Sequence, residues 1–362
     1  MGAQAVSEYQ YYEFRALDWP LTDEQYDYVR GLSTRAEISR TLFVNEYQWG
    51  DFRGDPAALM DLCYDAHVYF ANWGSRVLMF RLPLSLLTVE MAADYLREDL
   101  VAAHVSGDNI VLEFRSEEEP GDEWDLDGSE LLDSIVGVRA ELAAGDLRPL
   151  YIAWLAGLWI DEDGMIGEDE VVPPVPAGLG SLSAAQRAMA AFLRVDQDLL
   201  AASASVSGVR REETDGDRRR AMDSWLQRLT TEQKEDALRR LLSDEHVHVR
   251  AELLRDARPQ TAQPPPGEIS MEQLMAAASK LATAREAAEQ AELERQRALR
   301  EKAERLYVES RLAILSDRGE RAWADVADLI AAKNNSSYDS AVRMLGDLAE
   351  ISRRRGRSEQ FA

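Results

Sequence analysis

The chain has 362 residues, 46% of them hydrophobic, and a net charge of −25. At about 150 residues per domain this predicts two or three domains, and eight Trp with twelve Tyr exclude wholesale disorder. So acidic a chain repels phosphates and anionic lipids, which disfavours nucleic-acid and membrane-surface binding unless one patch departs from the average.

Cys63 is the only cysteine, so no intrachain disulfide or multi-Cys zinc site is expected, and a reducing cytoplasm is the expected location. The opening MGAQAVSEYQ lacks the basic start and apolar run of an export signal. No apolar run reaches the ~20 residues of a membrane helix. The densest, Leu150 to Ile160, predicts a buried helix.

The N-terminal elements follow from periodicity and caps. Tyr11 to Leu17 alternates as a strand. Thr22 with Gln25 forms a capping box, and Leu21 with Tyr26 a hydrophobic staple, opening a helix that ends near Gly31 and Ser33. Thr41 to Tyr47 is β-rich. Asp55-Pro56 starts a second helix, with Leu59, Leu62, Cys63, Ala66, Phe70 and Trp73 along one face and Gly74 as its stop. Arg76 to Leu82 reads as a strand, Thr88 to Arg97 as a helix, and Asn109 to Arg115 as a strand. With 55–74 taken as an insertion, 8–117 becomes a ferredoxin-like α+β domain of split βαβ type.

Residues 117–170 hold seventeen Asp or Glu against two Arg. Helices are predicted at Ser129 to Ala144 and Pro149 to Ile160. The acidic peaks at 117–128 and 161–170 each miss a ligand of a calcium loop: Trp159 stands at the first position of one and Ser134 at the last of the other. They read as solvated loops, or as a dock for a basic partner. Ser183 with Gln186 caps a helix lined by Ala188, Ala191, Phe192, Val195, Leu199 and Leu200. The region 118–257 is thus an acidic, mainly helical domain. His246 and His248 fall in a helical context and do not share a face for a metal.

A proline-rich linker, 258–268, precedes a tail of different character, 269–362. Ser270 and Gln273 cap a helix whose 46 residues to Leu315 would extend about 69 Å. Its seam carries Arg285 and Glu292 among Leu and Ala, which is poor for a strong coiled coil and fits an exposed single helix; self-association to a homo-oligomer through it is the alternative. Two apolar stripes, one from Ala322 to Ile330 and one from Tyr338 to Ala349, predict a helical hairpin. Arg353, Arg354 and Arg355 suit a helix C-terminus.

Chemical motifs are absent. There is no Gly-Lys dipeptide for a phosphate loop and no Gly-x-Ser-x-Gly elbow. Cys63 and His67, four apart, would share a helix face, but the thiol sits in an apolar stripe and reads as core. No catalytic residue, metal or cofactor is assigned. The loop 45–56 concentrates aromatic and polar side chains, so Tyr47, Trp49, Asp51, Phe52 and Arg53 are the candidate partner-binding residues, with Arg353, Arg354 and Arg355 at the other end.

The motifs YYEFRALD, FVNEYQWGDFRGDP, ANWGSRVLMFRLP and VPPVPAGLGSLS resemble those of an uncharacterised bacterial family of hypothetical proteins, over most of residues 8–205. AWADVADLIAAKNNSSYDSAVRMLGDLAEISRRRG resembles the C-terminal helical module of bacterial SWIM zinc-finger proteins, whose Cys- and His-based finger this chain lacks. Tails of that kind run further, so an end at Ala362 is expected to be a shortened form. These resemblances imply a cytoplasmic accessory protein and transfer no catalytic residue. The expectation is a non-enzymatic scaffold or adaptor with protein partners, basic ones included. A nucleic-acid factor acting through the arginine-rich end, and an enzyme with a carboxylate-based site, are the alternatives.

Overall fold

One antiparallel sheet organises the first part of the chain. The computed structural model describes residues 8–48, 50–97, 100–117, 128–158, 171–210, 214–243, 248–257 and 265–357. In chain order, β1 (Gln10–Arg15), α1 (Asp23–Leu32), β2 (Glu37–Ile38), β3 (Leu42–Tyr47), α2 (Pro56–Leu62), β4 (Ala66–Ala71) and β5 (Ser75–Pro83) come first. The short helix α3 (Val89–Ala92), then β6 (Val101–Ser106) and β7 (Asn109–Glu117), complete the sheet. Its order is β2-β3-β1-β4-β5-β7-β6.

Local chemistry sets the helix starts. The Thr22 hydroxyl accepts from the Gln25 amide at 3.2 Å, and the Gln25 side chain accepts from the Thr22 amide at 2.9 Å. Asp55 caps α2 through the Ala57 amide, with Pro56 in the first turn.

The strand order departs from the ferredoxin-like expectation. That order would set Arg76–Leu82 beside Tyr11–Leu17; instead β4 lies between them, pairing Tyr12 with Tyr69 on one side and Val68 with Leu78 on the other. The expected helical insertion 55–74 is helical only to Leu62. Cys63 ends α2 in a non-helical conformation, and Ala66–Ala71 becomes a central strand. Both faces of this strand are buried, so it shows no alternation, and its apolar spacing mimics a helix. The edge strand β6 carries no sequence expectation, because it is largely exposed and has one buried position only.

Helices cover both faces of the sheet. On one side α4 (Leu131–Ile135), α5 (Gly137–Ala143), α6 (Arg148–Ala156), α7 (Ala184–Phe192) and α8 (Gln197–Val206) close a core. That core joins Leu78, Phe80, Leu112 and Phe114 to Leu132, Val138, Tyr151 and Phe192. On the other side α1 and α2 bring Val29, Leu59 and Met60 onto Phe14, Phe43 and Met79. The single helix expected from Ser129 breaks at Val136, and the face expected from Ala188 to Leu200 breaks at Arg194, whose φ is +57°. Three further helices follow: α9 (Asp215–Arg228), α10 (Thr231–Leu242) and α11 (Val249–Asp256).

The long helix α12 (Met271–Arg318) has 48 residues. Its first turns belong to the body: Leu274 and Ala278 are buried in the same core as the sheet. Gly267, just past the proline run, exchanges two backbone hydrogen bonds with Val175, at 2.9 and 3.0 Å. Two compact units result, Met1–Ala282 and Thr283–Ala362, with the boundary inside α12.

In the second unit, α13 (Glu320–Ala331) and α14 (Asn335–Arg354) form the expected hairpin. Ala322, Val326, Ala341 and Leu348 pack with Leu315 of α12, while Trp323, Ile330, Tyr338 and Val342 are exposed. Asn334 caps α14 by accepting from the Ser337 amide at 2.9 Å. Residues 283–362 contain 15 Lys or Arg and 15 Asp or Glu, so the whole charge of −25 resides in the first unit.

Candidate functional site

The aromatic loop is packed onto the sheet. Phe52 leans on Tyr12, Phe14 and Phe43 with ring centroids 5.1, 6.1 and 5.6 Å apart. Tyr47 meets Tyr12 edge-on, and its hydroxyl accepts from Asn45 at 2.7 Å; partial burial pushes the Tyr47 hydroxyl pKa up. Gln10 ties the loop down, donating to the Gly50 carbonyl and to Asp51 at 3.2 and 3.1 Å. Trp49 lies outside the described residues. Of the described candidates, Asp51 and Arg53 are exposed while Tyr47 and Phe52 are half-buried.

The arginine end is likewise engaged within its own unit. Arg353 and Arg354 each reach Glu350 at 2.7 Å, Arg354 also holds Glu309 at 2.8 Å, and Arg355 donates to Ser316. Hydrogen bonds from Arg353 and Arg354 hold the Glu350 carboxyl down at about 2. These side chains brace α14 against α12.

Cys63 and His67 do not share a helix. Burial pushes the Cys63 thiol up to about 12, where it is inert. His67 lies on β4, stacked on Phe14 at 3.9 Å, its Nδ1 within 2.8 Å of the Glu13 carbonyl. Burial outweighs that hydrogen bond and holds the imidazole neutral, down to about 3.

The structure gathers a charged network that sequence reasoning missed. Asp65, buried at the end of α2, accepts from the Leu17 and Asp18 amides at 2.7 and 2.9 Å and from Arg81 at 2.8 Å. Asp18 pairs with Arg139 of α5 and with His248 Nε2 at 3.0 Å. Burial opposes ionisation of Asp18, but His248 and Arg139 outweigh it and hold its carboxyl down to about 2. The available signal was Arg139 itself, an arginine between the buried Val138 and Leu142 on a short helix whose one other charged residue is Glu141. Beside the network lies a groove of about 270 Å³, walled by Leu82, Leu86, Ala140, Ala143, Ala251 and Leu254. Its described lining has two arginines and one histidine but no Ser, Thr or Cys nucleophile.

A second node, Asp146, is gripped by Arg148 and by Arg210, the latter at 2.7 Å. Arg148 also donates to the Gly178 and Ser181 carbonyls at 3.0 Å. It staples the start of α6 to the proline-rich connector. Among the described residues no group of three or more His, Cys, Asp or Glu is placed to hold a metal ion. The acidic loops weighed for calcium, beyond Glu117 and Gly128, and His246 lie outside the described residues.

Among the described residues, a long uncovered stretch lies in α12. From Ala291 to Tyr307 every residue is exposed. Leu299, Ala303, Leu306, Tyr307 and Ile314 fall on one helical face, with Leu299 58%, Leu306 61% and Tyr307 65% exposed. Pairs such as Arg285–Glu289 support the helix along its length. No helix among the described residues is long and apolar enough to cross a membrane. No family model, curated protein or solved structure matches the chain.

Proposed function

We propose that the protein is a non-enzymatic interaction scaffold or adaptor, a cytoplasmic accessory subunit of a bacterial multi-protein system. The observation that carries this reading is α12: a helix rooted in the body core at Leu274 and Ala278 that leaves an uncovered apolar stripe from Leu299 to Ile314. Such a stripe, read at i, i+4, i+7 and i+8, is how an amphipathic helix engages a partner groove. The charge of the first unit favours a partner with basic character. The arginine end supports a nucleic-acid role less well, because its guanidinium groups already pair with Glu350 and Glu309.

The test is affinity capture with the full chain and with a Leu299→Glu/Leu306→Glu variant. Partners held by the first and lost by the second support the reading. An identical set on both baits, or none on either, counts against it.

A further inference from the structure

A second uncovered apolar surface lies on the first unit. Not one residue of α9 or α10 is buried. Met222 and Leu226 of α9 are 40% and 41% exposed. With Ala221, Trp225 and Leu229 they recur at i, i+1, i+4, i+5 and i+8, a single helical face. A helix of 14 residues is marginal in water when it stands alone. A cover over this face would supply what its own chain does not.

Charge narrows the choice of cover. The first unit carries all of the −25, so two copies repel over most of its surface. Residues 214–243 are the exception, with seven Lys or Arg and six Asp or Glu. Within α9 the charges are arranged for an opposed copy. Asp217 near the start and Arg228 at the end lie eleven residues apart, three turns, and so on the same flank of the apolar stripe. Arg219 and Asp223 share the other flank. We propose that α9 is a homodimer contact, two copies packing antiparallel about a two-fold axis near Met222.

In that arrangement Asp217 of each copy faces Arg228 of the other, and Arg219 comes within reach of the opposite Asp223. The Asp217 carboxylate is already fixed by Thr214 and Arg220 of its own helix, at 2.7 and 2.6 Å, and presents a set charge to the second copy. Parallel pairing would instead bring opposite flanks together, setting Asp217 beside Arg219 of the other copy and leaving Arg228 without an acid at its own level. The antiparallel arrangement uses more of these charges.

Sedimentation velocity of the full chain at rising concentration tests this. The expected species has roughly twice the 40.6 kDa chain mass, and Met222→Glu/Leu226→Glu reduces it to one chain with the far-ultraviolet spectrum of the sheet retained. The arm variant Leu299→Glu/Leu306→Glu stays dimeric. Direction is read by crosslinking, since the native Cys63 is buried. Met222→Cys forms a disulfide-linked dimer under mild oxidation, and Asp217→Cys does not. A single-chain mass at every concentration overturns the proposal. So does a dimer that survives Met222→Glu/Leu226→Glu, one that the arm variant abolishes, or efficient crosslinking through Asp217→Cys.

Discussion

The Val206 carbonyl oxygen stands 2.3 Å from where a Cβ on Gly267 would sit. Only glycine lets the strand-like segment after the proline run lie against the end of α8 while it exchanges hydrogen bonds with Val175. The obstacle is backbone, which cannot rotate away as a side chain would. Gly267→Ala should cost about 1–3 kcal/mol, as overpacked sites do. Urea unfolding followed by tryptophan fluorescence should show a lower midpoint with an unchanged slope.

Two leucines of one helix should behave in opposite ways. Leu274 is fully buried and Leu299 is 58% exposed. Leu274→Ala is expected to destabilise the body by about 2–5 kcal/mol. Leu299→Ala should stay within about 0.5 kcal/mol of the parent. Thermal melts of the pair check this, and similar losses at both sites would contradict the burial assigned to α12.

Tyr64 is buried with its hydroxyl unpaired among the described residues. A buried donor without a partner costs about 1–3 kcal/mol. Tyr64→Phe keeps the ring beside Phe14 and removes the orphan group, so the melting temperature should rise. A fall would mean that the hydroxyl has a partner.

His67 makes stability depend on pH. Its imidazole is held down to about 3 by burial, against about 6.5 in an unfolded chain. Between those values the unfolded chain takes a proton that the folded one refuses. The contribution is complete above pH 6.5 and is lost as pH falls towards 3, by at most about 1.4 kcal/mol per pH unit. Glu13, whose carboxyl is raised by burial, acts with the opposite sign. Comparing His67→Gln with the parent cancels that effect. The variant should lose free energy less steeply between pH 6 and 5; equal slopes would remove His67 from the account.

Elements with their own caps were legible in the sequence. Thr22, Asp55, Ser183 and Ser270 each announce a helix that starts where expected, because a cap is a contact within four residues. Strand order was not legible, because β4 is buried on both faces and one of its two partners, β1, lies more than fifty residues back in the chain. The network of Asp18, Asp65, Arg81, Arg139 and His248 failed to show for the same reason: its members are spread over 230 residues and each alone looks like an ordinary surface charge. In the loop from Tyr47 to Arg53 the aromatic content serves packing at two positions at least, since Tyr47 and Phe52 both rest on Tyr12 of the sheet.

The bare stretch of α12 carries Arg295, Arg297, Arg300, Lys302 and Arg305 in succession. Brief trypsin digestion should cut there first and yield two fragments of very different behaviour on an anion-exchange column. The C-terminal piece, near neutral, would pass in the flow-through, while the acidic remainder would elute late in the salt gradient.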